Sequence, residues 1–298
     1  QSLFIMLQQQ GDVQIDVLAP AWSLPILQRM PQVHQGIAMP LGHGQLGLRT
    51  RWQLGRQLAR AGYQQAIVLP GSLKSALVPW FAGIPQRTGF TGEQRYGLLN
   101  DRRSLDKQVL PMTVQRFVAL GLQPHPSQAP DIPPPRLVAD AHNAVQLRSS
   151  LGLNDDRPAV AFMPGAEYGP AKQWPAAHFA RLAQDLLARG HQVWILGSAK
   201  DHPVGEAIAQ AVSGDGIHNL CGQTQLADVV DLLSVCAAAV SNDSGLMHVA
   251  AAFGVPQVAV YGSSSPDHTP PLNPKARVLW LRVDANYHPP LACAPCYE

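Results

Sequence analysis

Short β-branched runs alternate with stretches of helical apolar spacing along most of the chain. In the first half, Ile15-Asp-Val-Leu18 and Gly36-Ile-Ala-Met39 read as strands on either side of a short helix near Ser23 to Arg29. Leu48, Trp52, Leu54, Leu58 and Ala61 then recur at helical spacing over residues 48 to 61. Gln65-Ala-Ile-Val-Leu69 is the nearly continuous apolar run of a buried parallel strand, and a helix from Ser72 to Phe81 follows.

Between Pro124 and Pro135 six of twelve residues are proline, which removes backbone donors and fixes φ too often for helix or central strand. The sequence therefore predicts an N-terminal domain over 1–123, a linker over 124–135 and a C-terminal domain over 136–298. In the second domain the rhythm is clearer. Strands are predicted at Ala159–Met163, Val193–Leu196, Ala238–Val240, Gln257–Val260 and Arg277–Leu281, with helices at Pro175–Arg189, Pro203–Val212, Leu226–Cys236 and Ser244–Phe253. Pro175 suits the first helical position and Gly190 the position after a helix end. Five parallel strands with intervening helices make a doubly wound α/β domain, whose ligands lie at the carboxyl ends of the strands. The fold class expected is α/β, with two Rossmann-like doubly wound domains facing a cleft.

Composition narrows the function classes. A chain of 298 residues with 46% hydrophobic content can fill two cores, and a net charge of +2 is far from the basic balance of a nucleic-acid binder. That balance allows peripheral contact with an anionic membrane surface without demanding it. The most apolar stretch, Leu246 to Val260, is broken by His248, Pro256 and Gln257 and is too short to span a bilayer. Cys221 and Cys236 fall in apolar surroundings as buried thiols, and Cys293-Ala-Pro-Cys296 has no second pair to complete a tetrahedral metal site. No G-x-G-x-x-G follows a strand, and no phosphate-binding G-x-x-x-x-G-K-[ST] or G-x-S-x-G elbow occurs. These absences argue against NAD enzymes, P-loop kinases and α/β-hydrolases.

The candidate chemistry collects at the predicted strand ends. Asp243-Ser244-Gly245 lies between a strand and a helix start, where backbone N–H groups and the helix dipole suit a phosphate. The competing reading is that Asp243 or Ser244 merely caps the helix, worth about 1 kcal/mol. Leu246 and His248 continue the same segment. Lys172 stands in the polar loop before Pro175, at another strand end, where an ammonium can neutralise a departing diphosphate. Ser198, Lys200 and Asp201 follow the next strand and suit ribose or adenine contacts, and Tyr261 to Thr269 forms a further polar loop. In the first half, Ser72, Lys74 and Ser75 open a helix, and Arg87, Arg95, Arg102 and Arg103 form a group that could receive phosphorylated or carboxylated acceptor groups. A solvated basic face is the alternative.

Pro164-Gly-Ala-Glu-Tyr-Gly-Pro-Ala-Lys-Gln-Trp-Pro175, Gly197-Ser-Ala-Lys-Asp201, Asn242-Asp-Ser-Gly-Leu-Met-His248 and Arg95-Tyr-Gly-Leu-Leu-Asn-Asp101 together resemble the lipopolysaccharide core heptosyltransferases, of the ADP-heptose:lipopolysaccharide heptosyltransferase II type. Ser72-Leu-Lys-Ser-Ala-Leu-Val-Pro79 and Phe81-Ala-Gly-Ile-Pro85 extend the resemblance, which covers about residues 13 to 282. It implies a B-type glycosyltransferase that binds ADP-heptose on the C-terminal domain and the lipopolysaccharide inner-core acceptor on the N-terminal one. The implied reaction adds a heptose to the first heptose of the inner core with inversion.

By the same resemblance Lys172 matches the lysine on the diphosphate, Asp243 the acid near the heptose, and Ser244 to Leu246 the phosphate cradle. His248, Ser198, Lys200 and Asp201 complete the expected donor site, and Ser72, Lys74 and Arg95 the acceptor side. No cofactor, metal or nucleic acid is expected. The expected location is cytoplasmic, with peripheral contact at the inner membrane allowed. A heptosyltransferase I type of acceptor, a non-catalytic nucleotide-sugar binder and a sugar-nucleotide epimerase are the competing readings. The chain opens inside an apparent amphipathic helix without an initiator methionine, so a fragment is expected. The family's catalytic aspartate is expected to precede Gln1, which would leave these residues alone poor at turnover.

Overall fold

The computed structural model describes all residues except 124, 125, 154, 155, 168, 285, 286, 288–294, 297 and 298. Its contacts divide the chain into two units, one of residues 1–28 and 32–133, the other of residues 29–31 and 134–298.

The first unit runs α1 (Ser2–Gln10), β1 (Ile15–Pro20), α2 (Leu24–Leu27), β2 (Val33–Met39), α3 (Leu48–Leu58), β3 (Gln65–Ile67), α4 (Leu73–Phe81), β4 (Gln86–Phe90), β5 (Asp101–Arg103) and α5 (Thr113–Leu120). All strand pairs are parallel, in two groups, β1-β2 and β3-β4-β5. The periodicity of residues 48 to 61 yields α3 followed by a 3-10 turn at Ala59–Ala61. Gly55 of α3 faces α4 so closely that a Cβ would stand 2.5 Å from Phe81 Cβ and 2.9 Å from the Val78 carbonyl, so glycine is what lets the two helices pack. Sequence pattern alone does not reveal β4, β5 or α5.

The second unit contains α6 (Ala141–Ser150), β6 (Ala159–Met163), α7 (Ala176–Ala188), β7 (Gln192–Ile195), α8 (His202–Gln210), β8 (Ile217–Asn219), α9 (Leu226–Ser234), β9 (Ala238–Asn242), α10 (Gly245–Ala252), β10 (Gln257–Tyr261) and β11 (Ala276–Trp280). Six strands form the sheet, one more than the pattern predicts, because the short, half-polar Ile217-His-Asn219 gives no apolar run. Their order is β11-β10-β9-β6-β7-β8 and every pairing is parallel. Counted from the unit's own first strand this is the order 3-2-1-4-5-6, with the reversal of winding between β6 and β9. The core under β6 and β7 packs Val160, Phe162, Phe179, Val193, Ile195 and Ile208. Pro175 sits just before α7 rather than as its first residue, and Gly190 adopts φ 81 after its end.

Residues 29–31 belong to this second unit because Arg29 pairs with the fully buried Asp231 at 2.5 Å. The same carboxylate accepts from Asp140 N at 2.9 Å and Asn143 Nδ2 at 2.8 Å, so a buried charge is fully supplied with donors.

Candidate functional site

The winding reversal puts the carboxyl ends of β6 and β9 side by side, with Met163 in register with Ser241. The loop leaving β6 carries Lys172 and the loop leaving β9 carries Asp243. Their side chains meet, Lys172 Nζ lying 2.9 Å from Asp243 Oδ2, with 18% and 10% of each side chain exposed.

The loop bearing Lys172 is fastened at three points. Asn242, fully buried at the end of β9, donates from Nδ2 to the Pro164 carbonyl at 2.6 Å and accepts the Trp174 N–H at 2.9 Å, so one amide closes both ends of the loop. Ser263, beyond β10, donates its N–H to the Ala171 carbonyl at 3.3 Å. Gly262 makes that approach feasible, since a Cβ there would lie 2.4 Å from the same oxygen. Trp174 anchors the far end against His178 at 5.5 Å and Phe179 at 4.7 Å between ring centroids. Asn242 stands within the sequence motif, but nothing in the sequence shows that it bridges residues 164 and 174.

At α10 the N-terminus carries no side-chain cap, since Ser244 in extended backbone makes no capping hydrogen bond. Asp243 instead spends its carboxylate on Lys172. The first N–H groups of the helix therefore point at the strand-end region without a competing side chain. A Cβ on Gly245 would meet nothing within 4 Å, so open space adjoins this backbone. Leu246 is half-buried, and Met247 packs inward with Ala259, Tyr261 and Trp280. His248, one turn along, is exposed yet crowded by protein. Desolvation lowers its pKa, while the charge of Asp243 opposes that shift.

Ser198 and Asp201 turn out to bond each other. The Asp201 carboxylate accepts the Ser198 N–H and Oγ–H, both at 2.8 Å, as a capping box on the turn into α8. It also lies against the backbone of Gly165 and Gly197, where Cβ atoms would come within 2.4 and 2.8 Å of Asp201. Lys200 is exposed and lies 3.6 Å from Glu167.

In the first unit the structure corrects the basic cluster. Arg95 is only 2% exposed and donates to the carbonyls of Phe90 (2.5 and 3.2 Å), Pro70 (2.6 Å) and Ser72 (3.4 Å) and to Ser75 Oγ (3.2 Å). Its guanidinium staples the unit's own loops and has no face left for an acceptor group. Arg87 donates to the Leu98 and Ile84 carbonyls, and Arg103 to the Ala119 and Leu122 carbonyls and to Asp101. Arg102 alone of the four is exposed, set over the Tyr96 ring at 5.3 Å. Ser72 precedes α4 without capping it. The helix's Leu73 N–H is taken at 2.8 Å by Glu93, which adopts φ 39 beside Gln94 at φ 53. Lys74 is half-buried in the first turn of α4.

Cys221 and Cys236 are buried thiols whose pKa values burial pushes up to about 12. Cys296 is exposed, whereas Cys293 lies outside the described residues. Among the described residues no group of three or more His, Cys, Asp or Glu is placed to hold a metal ion, and no helix is long and apolar enough to cross a membrane.

A doubly wound sheet with a lysine, a carboxylate and an uncapped helix start at its winding reversal is the arrangement in which such domains take phosphate-bearing ligands. The chain belongs to glycosyltransferase family 9, the heptosyltransferases, whose family model matches residues 51–290. It is 49% identical to lipopolysaccharide heptosyltransferase 2 of Escherichia coli K12, over 97% of this chain and 85% of that one. It is 50% identical to the Salmonella typhimurium LT2 protein of the same name, over 92% and 80%. The solved structure of Escherichia coli ADP-heptose lps heptosyltransferase II matches with a TM-score of 0.87 at 46% identity, covering 99% of this chain and 90% of that one.

Proposed function

We propose that the chain moves L-glycero-D-manno-heptose from ADP-heptose to the first heptose of the lipopolysaccharide inner core, inverting the anomeric centre. The observation that carries this reading is the Lys172–Asp243 pair beside the uncapped start of α10, at the winding reversal of the second unit. Similarity to proteins named for heptosyltransferase 2 activity supports the choice of donor and acceptor.

The acceptor hydroxyl oxygen forms a bond to the anomeric carbon while the bond from that carbon to the β-phosphate oxygen breaks. The hydroxyl proton passes to a base, and ADP leaves with the bonding electrons. Negative charge grows on the departing diphosphate, where the Lys172 ammonium and the N–H groups of Gly245 and Leu246 act on it. Asp243 holds the ammonium in place and stands where heptose hydroxyls would reach it. His248 lies one turn further along α10. Ser198 and Asp201 shape the loop beside the ribose instead of offering free groups to it, and Lys200 lies at the outer edge. On the acceptor side Lys74 keeps the role expected of it, and Arg102 takes the place of Arg95. This division of charge assigns the reaction no cofactor and no metal. The acceptor is lipid-borne, so the reaction takes place at the cytoplasmic face of the inner membrane.

Incubation of the full-length protein with ADP-heptose and Kdo-lipid A acceptors that carry or lack the first heptose tests the reading. Transfer only to the acceptor that carries it supports the assignment. Transfer to the bare acceptor would make this a heptosyltransferase of the first type, and ADP binding with no transfer to either would make it a binding module.

A further inference from the structure

The distribution of charge along the chain is uneven in a way the donor site does not use. Between Asp16 and Glu93 there is no acidic residue, while Arg29, Arg49, Arg51, Arg56, Arg60, Lys74 and Arg87 fall in that interval. In the first unit 11 Lys and Arg stand against 6 Asp and Glu, a net +5, and in the second 11 stand against 14, a net −3, which together restore the chain's +2. Charge is thus concentrated by unit, and the first unit rather than the second is the one drawn toward an anionic surface.

Helix α3 focuses this charge. Its buried side holds Arg51, Leu54 and Gly55 against the unit. At about 100° per residue, Leu48, Trp52, Arg56 and Arg49 fall within an arc of about 100° that begins beside Gly55 and ends, at Arg56 and Arg49, across from the buried side. Leu48 is 53% and Trp52 50% exposed, and Arg49, Arg56 and Arg60 are exposed too. No salt bridge engages these three arginines among the described residues. Leu46, also exposed, is held beside the helix because buried Arg51 donates to the Leu46 carbonyl at 2.6 Å and the Gln45 carbonyl at 3.2 Å. Trp22, 72% exposed, follows β1, and residues 40–47 follow β2. Since Pro20 and Met39 are register partners, both lie at the carboxyl edge of that parallel pair.

An exposed tryptophan and leucines flanked by arginines, in a stretch of sequence without an acidic residue, have the composition of a helix that lies in a bilayer interface. We propose that the outer face of α3, with Trp52 and Leu48 inserted and Arg49, Arg56 and Arg60 on lipid phosphates, docks the protein on an anionic membrane surface. The inference rests on the reading that the acceptor is lipid-borne, and it names the surface that brings the protein to it. Aromatic insertion holds the depth, and the arginines supply an attraction that salt weakens.

Flotation of the full chain with vesicles of phosphatidylethanolamine and phosphatidylglycerol (about 3:1), and with phosphatidylethanolamine and phosphatidylcholine in the same ratio, tests it. The protein is expected to float with the first set at low salt, to release as salt rises, and to stay behind with the second. R49Q/R56Q and W52A are each expected to weaken partitioning about tenfold, with circular dichroism and the ADP-induced shift in melting temperature unchanged. Failure of the wild-type protein to float with anionic vesicles, or variants that partition like wild type, would overturn the proposal. Heptose transfer to detergent-dispersed acceptor is scored separately. Transfer without flotation overturns only the docking surface, and flotation without transfer overturns only the functional reading.

Discussion

Lys172 Nζ and Asp243 Oδ2, 71 residues apart in sequence, stand 2.9 Å apart at the carboxyl ends of β6 and β9. Both side chains are largely withdrawn from water, so removing one partner leaves the other charge unpaired there, a larger effect than breaking an exposed salt bridge and one felt by whatever binds. Asp243→Asn keeps the shape and removes the charge. A fall in kcat of about 10²-fold is expected, with a smaller change in the affinity for ADP, measured by steady-state kinetics and calorimetry. Unchanged kcat would separate Asp243 from the chemistry.

Asn242→Ala opens the loop that presents Lys172, because both the Pro164 carbonyl and the Trp174 N–H lose their partner in a buried setting. Two unsatisfied groups correspond to a loss of about 2–4 kcal/mol in stability, read by denaturant unfolding. ADP affinity should fall with it, although Asn242 reaches the ligand only through the loop. Asn242→Asp is expected to rescue less than half of the loss, since a carboxylate accepts from Trp174 but cannot donate to Pro164.

Arg95→Gln separates a structural arginine from an acceptor-binding one. The wild-type guanidinium satisfies carbonyls from two segments of the first unit, at Phe90 and at Pro70–Ser72, so the variant should lose about 2–4 kcal/mol, with the KM for acceptor unchanged in the folded fraction. A raised KM at full stability would return Arg95 to the acceptor site.

Desolvation lowers the pKa of His218 and of His248, so both favour the neutral form in the folded protein. The unfolded chain takes up these protons as pH falls through 6.5, before the folded protein does. Stability is therefore complete above that value and declines below it, toward the folded pKa values. Asp101 and Asp140, whose carboxyls are held low by hydrogen bonds, titrate below this window. Urea midpoints measured from about pH 8 to about pH 5 should be level and then fall, and His218→Gln should flatten the fall. An unaltered slope would contradict the assignment.

The second unit's strands were largely legible because parallel strands buried on both faces read as apolar runs: Ala159–Met163 stands where the run predicts it. β8 escaped because three residues with a histidine and an asparagine carry no such signal, and β5, Asp101-Arg-Arg103, is still more polar. Sequence reasoning could place Lys172 and Asp243 at strand ends, since that follows from punctuation and winding. It could not see that Ser198 and Asp201 cap one turn, or that three of the four clustered arginines answer backbone carbonyls. Carbonyls left over by loops are a property of the folded path, and an arginine that serves them looks in sequence like one that serves a ligand.

The most direct test of the account is mass spectrometry of the acceptor after incubation of the full-length protein with ADP-heptose and a Kdo-lipid A that carries one heptose, with Lys172→Ala in parallel. The account predicts a gain of one heptose with the wild-type protein and its loss with the variant. No gain with a wild-type protein that binds ADP, or an undiminished gain with Lys172→Ala, would contradict it.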